Sequence, residues 1–172
     1  MNVYLAGKIG SRDFRYDLVP GLRGRIWANG PLSCPGFTYV GPFFVSCSHR
    51  CAHGPGTHGA MVPTEDGCGA DSLTHSQIYE ANRAALESAS LLFAYIDGTE
   101  CNGTQFEIGW AAAKGIPRII IFSPDVDRGE FWYCAMAAEF TTVSTREELP
   151  ALFARVLHRF AARTARSCRV LK

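Results

Sequence analysis

The sequence predicts an α/β domain built on a five-stranded parallel sheet flanked by helices, and three observations carry that expectation. Short apolar runs of strand length alternate with longer stretches of helical spacing, the order of β-α-β units. The run Ile119, Ile120, Ile121, Phe122 is apolar without alternation, as in a strand covered on both faces. Leu149, Leu152, Phe153, Val156, Leu157 and Phe160 recur at helical spacing, a one-sided stripe suited to packing on a sheet. At 172 residues the chain suits one domain with a real core.

Taken in order, Val3–Ala6 is a short apolar strand closed by Gly7 and Gly10. Residues 12–28 are mixed, with Pro20, Gly21 and Gly24 interrupting any helix. Phe37–Val40 reads as a second strand. From 41 to 71 the chain turns glycine- and proline-rich and carries three of the five histidines. So long an irregular insertion is either functional or mobile. Ser72 or Thr74 can cap a helix running to about Ser88. Leu91–Ile96 is a buried strand, and Gly103–Lys114 a helix stopped by Gly115 and Pro117. Arg118–Phe122, a helix over Glu130–Ala138, a last strand at Phe140–Val143 and the striped final helix complete the domain. Its expected bounds are 1–165, with a basic tail over 166–172.

In a parallel sheet with right-handed crossovers, ligands bind beyond the carboxyl ends of the strands. Three polar loops converge there: Gly7–Arg12, the 41–71 segment and Asp97–Thr104.

The net charge is +1, so no global basic field invites nucleic acid. The arginines from Arg155 to Arg169 and Lys172 lack acidic partners after Glu148; they read as a solvated helix face running into a tail. No apolar run approaches the ~20 residues of a membrane span, and the start of the chain does not read as a signal peptide. The seven cysteines are odd in number and scattered. Without a secretory signal they read as reduced thiols of a cytoplasmic protein.

The stretch Asp97–Gly109, DGTECNGTQFEIG, joins the third strand to the helix after it. The junction puts Glu107 within the first helical turn, among unpaired N–H groups and a partial positive charge. A carboxylate there is held ionised, the form that attacks an electrophilic carbon. The same residues also fit a plain T-x-x-E capping box between Thr104 and Glu107.

Two motifs decide between these readings. VYLAGKIGSR at Val3–Arg12 and CNGTQFEIGWAAAKGIP at Cys101–Pro117 resemble the nucleoside 2-deoxyribosyltransferase superfamily. The resemblance implies a flavodoxin-like, Rossmann-like sheet and an enzyme that breaks an N-glycosidic bond. Glu107 matches the family's nucleophilic glutamate, and Tyr4 the tyrosine whose hydroxyl positions it. An anion beside an oxocarbenium-like transition state is what such chemistry needs.

The chain departs from the transferase pattern at two places. Cys101 stands where transferases have an aspartate that handles the nucleobase, and Asn82 is the nearest match to their aspartate in the preceding helix. Asp97 and Glu100 are then the nearest candidate acids for the departing base, unless they serve only as turn residues. The loop Gly7, Lys8, Ile9, Gly10, Ser11, Arg12 is similar to that of the superfamily's nucleoside 5′-monophosphate N-glycosidases, which hydrolyse nucleotides and also lack the aspartate at the Cys101 position. Its glycines let backbone N–H groups approach phosphate oxygens, and Lys8 or Arg12 supplies charge. Asn102, Gly103 and Thr104 complete the expected substrate-binding set.

Cys47, His49, Cys51 and His53 have spacings a zinc ion tolerates. The resemblance calls for neither metal nor other cofactor, and a lid over the pocket is the preferred role for this segment. The expected partners are a small nucleoside or nucleotide and a second copy of the chain, as a homodimer or higher homo-oligomer, with neither membrane nor nucleic acid. Two further readings stay open: base exchange between nucleosides, and a catalytically silent nucleotide-binding sensor.

Overall fold

A computed structural model describes residues 1–9, 13–22, 30–42 and 75–170, with residue 75 and the last eight as backbone only. The elements, in order, are β1 (Asn2–Ala6), α1 (Arg15–Leu18), β2 (Leu32–Cys34), β3 (Phe37–Gly41), α2 (His75–Glu87), β4 (Leu91–Ile96), α3 (Asn102–Ala113), β5 (Arg118–Phe122), a 3-10 turn (Arg128–Phe131), α4 (Trp132–Met136), β6 (Phe140–Val143) and α5 (Leu149–Val170). One mixed sheet runs in the order β2-β3-β1-β4-β5-β6. All its pairings are parallel except β2 with β3. The fold is flavodoxin-like: the five parallel strands stand in the order second, first, third, fourth, fifth.

Six described strands replace the expected five. The addition, β2, is three residues long and pairs antiparallel with β3 from Leu32↔Tyr39 to Cys34↔Phe37. Pro35 and Gly36 turn the chain between them, with Gly36 at φ +86°, the geometry that proline followed by glycine favours in a tight turn. So short an edge strand leaves too little pattern to read in sequence. The helix expected over Glu130–Ala138 is broken into the 3-10 turn and the five residues of α4. Helix α5 extends to Val170 and so takes in most of the segment assigned to a basic tail.

The sheet separates two cores. On one face Val3, Leu5, Phe93, Tyr95, Ile119 and Ile121 pack with residues of α1 and α5. On the other, Tyr4, Ala6, Leu92, Ala94, Ile120 and Phe122 pack with residues of α2, α3 and the 3-10 turn. The alternation along β1 sends Tyr4 to the second face. Gly7 ends β1 where only glycine fits: a Cβ there would come within 2.6 Å of the Phe14 ring and 2.8 Å of the Tyr95 carbonyl. Among the described residues, no helix is long and apolar enough to cross a membrane.

Candidate active site

The strand order reverses at β1, which lies between β3 and β4; this is the switch point at which such sheets bind ligands. Tyr4 stands on β1 and Glu107 on α3. Across 103 residues of sequence, the Tyr4 hydroxyl donates a 2.5 Å hydrogen bond to Glu107 Oε1. Tyr4 is wholly buried. Glu107 is half-buried and lines a cleft of about 180 Å³ between α2 and α3.

Both helices contribute to that cleft at the same spacing. Tyr79, Asn82, Arg83 and Leu86 come from α2, and Gly103, Phe106, Glu107 and Trp110 from α3. Each set follows i, i+3, i+4, i+7, a single helical stripe. The rim is aromatic: Tyr79 and Phe106 have ring centroids 6.4 Å apart, and Phe106 and Trp110 5.8 Å. Phe106 is 54% exposed. Arg83 bonds Glu80 at 2.6 Å and Glu87 at 3.3 Å, which engages its charge within α2.

The local electrostatics reverse one expectation. Helix α3 begins at Asn102, so Glu107 lies in its second turn, beyond the first-turn N–H groups. The cap is Cys101, with no side-chain cap bond, so the Thr104–Glu107 capping box does not form. Nor is the carboxyl held firmly ionised. Burial pushes it from 4.5 up to about 7, against the pull of the Tyr4 hydrogen bond and the positive field of Arg15. The Tyr4 hydroxyl goes well above its ordinary range, chiefly through burial and then through the neighbouring Glu107 charge.

Of the residues singled out in the sequence, Tyr4, Asn82, Gly103 and Glu107 come together at this cleft. Asp97 and Glu100 are exposed on the β4–α3 loop and do not line it. Lys8 is exposed after β1 and pairs with Glu100 at 2.8 Å. Gly7 is buried, and its carbonyl accepts from Arg15. Ile9 is half-buried, Asn102 exposed and Thr104 buried. Cys101 is buried, and its Sγ accepts a long 4.0 Å contact from Gln105 Nε2. Gly10, Ser11 and Arg12 lie outside the described residues, as do Cys47, His49, Cys51 and His53. Within the described residues, no cluster of three or more His, Cys, Asp or Glu side chains is placed to hold a metal ion.

Sequence reasoning missed the aromatic rim and the pair Asp13–Arg15. The rim was legible, since both helices repeat the cleft stripe at helical spacing. Asp13 and Arg15 gave no such signal, lying in a stretch broken by glycine and proline.

A family model described as nucleoside 2-deoxyribosyltransferase matches residues 3–141 of the chain. Among solved structures, a conserved protein from Enterococcus faecalis V583 is similar at 20% identity, covering 93% of this chain and 87% of that one with a TM-score of 0.45. No curated protein matches.

Proposed function

The chain belongs to the nucleoside 2-deoxyribosyltransferase family, whose members work on nucleosides by glycosyl transfer or hydrolysis, and from that premise we propose that it is an N-glycosidase of a nucleoside 5′-monophosphate or a related nucleotide. One observation carries this reading: a carboxyl held by a buried tyrosine hydroxyl at 2.5 Å faces a cleft at the switch point of the sheet.

The hydroxyl engages Oε1 and leaves Oε2 of the Glu107 carboxylate to attack the anomeric carbon. The C–N bond breaks, its electron pair leaves with the base, and a glycosyl ester forms on Glu107. Water then attacks the ester, freeing the sugar phosphate and restoring the carboxylate, while the base takes up a proton. The cleft volume of about 180 Å³ suits part of a nucleotide rather than a polymer. Its aromatic rim, with the Asn82 amide, offers a flat base both stacking and hydrogen bonding. For the phosphate, Lys8 lies at the carboxyl end of β1. Its pairing with Glu100 is exposed on both sides, so it is worth little and exchanges readily for a phosphate oxygen.

Among the described residues, Glu107 is the carboxylate that lines the cleft. Cys101, where transferases carry an aspartate, and the likeness of the Gly7–Arg12 loop to the nucleoside 5′-monophosphate N-glycosidases favour hydrolysis over exchange between bases. The test is a panel of nucleoside monophosphates and nucleosides, with base release followed by chromatography. Base and sugar phosphate should appear from the monophosphates, and Glu107→Gln should lower the rate by about a thousandfold or more in a folded protein. Exchange into a second added base would make the enzyme a transferase. Tight nucleotide binding without turnover would make it a sensor. Undiminished release by Glu107→Gln would remove the nucleophile.

A further inference from the structure

Arg15 is the largest fully buried side chain among the described residues, at 0% exposure. An arginine survives such burial only when its charge and donors are met. Its Nη1 contacts both carboxylate oxygens of Asp13, at 2.8 and 2.7 Å, and Asp13 Oδ1 also accepts the Arg15 backbone N–H at 3.0 Å. Its Nε donates to the Leu5 carbonyl and its Nη2 to the Gly7 carbonyl, both at 2.7 Å.

The place of these two carbonyls explains the guanidinium. On its β4 side, β1 stays paired through Ala6↔Ala94. On its β3 side pairing stops at Tyr4↔Gly41, where β3 ends. Leu5 and Gly7, two residues apart, direct their carbonyls to the same side, into the gap that β3 has left. Arg15 fills this gap in place of a strand. The gap opens one residue beyond Tyr4.

We propose that Arg15 is a positioning residue for Glu107: from the gap between β1 and β3 it fixes the end of β1 that carries Tyr4, whose hydroxyl holds the Glu107 carboxyl, and it keeps a buried cation next to that tyrosine. The Arg15 charge favours the ionised forms of both Glu107 and Tyr4. Burial works against the Arg15 charge, but Asp13, Tyr39 and Glu107 outweigh it and hold the guanidinium charged. Among the described residues, the groups that interact with Glu107 or line its cleft are Tyr4 from β1, Arg15 from α1, Tyr39 from β3, and Tyr79 and Arg83 from α2. Of the two arginines, Arg83 is engaged with Glu80 and Glu87, and Arg15 is the buried one.

The test reads the carboxyl directly. Glutamate labelled with 13C at the side-chain carboxyl is titrated by NMR, and Glu107→Gln identifies the Glu107 signal. In Arg15→Met the midpoint should rise by about one pH unit. In Arg15→Lys, which keeps the charge and loses the fork, it should stay within about half a unit of the parent. An unchanged midpoint in folded Arg15→Met overturns the proposal. If that variant does not fold, Asp13→Asn decides: with the cation kept, the midpoint holds or falls, and a rise overturns the proposal. The consequence for catalysis rests on Glu107 as the reactive carboxylate, but this titration needs no substrate, so the two ideas fail separately. Where base release is measurable, its acid limb should move upward with the midpoint in Arg15→Met.

Discussion

Helices α3 and α5 cover opposite faces of one sheet and obey different rules. Helix α5 presents Leu149, Phe153 and Val156 buried against the sheet, with Phe153 edge-on to Phe37 and Phe93 at 5.1 and 5.0 Å. Its apolar stripe and its buried stripe coincide. Helix α3 buries Thr104, Ile108 and Ala111, leaves Phe106 more than half exposed and draws the Glu107 carboxyl inward. An apolar ring faces outward and an acid inward. The departure from ordinary patterning falls at the candidate site, where chemistry is expected to compete with packing. Helix α5 therefore reads as the part that stabilises, and α3 as the part that acts.

Three substitutions test this division, in order of expected effect. Phe153→Ala removes a buried ring and leaves a cavity, so unfolding by denaturant should show a loss of about 3–5 kcal/mol. The remaining folded protein should keep the Glu107 titration unchanged. A loss below about 1 kcal/mol would deny α5 its structural role.

Glu107→Gln should do the opposite and stabilise. The folded carboxyl titrates at about 7, above the 4.5 of an unperturbed glutamate. A raised value means that its contribution to stability is present below about pH 4.5 and is lost as pH rises through about 7. That gap corresponds to roughly 3 kcal/mol at about pH 8, recovered in the variant and vanishing at about pH 4. Melting curves at the two pH values check this, and equal gains at both would contradict it.

Phe106→Ala is the smallest change in stability, within about 0.5 kcal/mol, because the ring is largely exposed. It should nevertheless raise KM for the nucleotide by about tenfold, the worth of a lost stacking contact. Unchanged KM would place the base elsewhere.

Most of the fold was readable because its strands are short and apolar and its last helix is strongly one-sided. Leu91–Ile96 and Arg118–Phe122 fall where their sequences end, and α2 lies within the expected span. The β2 strand was not readable, because three residues of an edge strand carry no usable period. For the site, the identities of Glu107 and Tyr4 came from motif resemblance, as did Asn82, the nearest match to the family's aspartate in the helix before. Asp97 was chosen by nearness in sequence, which does not bring it to the cleft. Loop residues a few positions apart can point in unrelated directions, whereas residues four apart on a helix share a face.

The amino-acid order alone indicated most of the strands and helices, since those bear their own periodicity, and its motifs named the two side chains to pair. Tertiary structure decided the rest: that the carboxyl is easier to protonate rather than held ionised, that an arginine stands in for a missing strand, and that two helical stripes make one cleft. These are properties of burial and electric field, and both depend on neighbours brought together in space from distant parts of the chain.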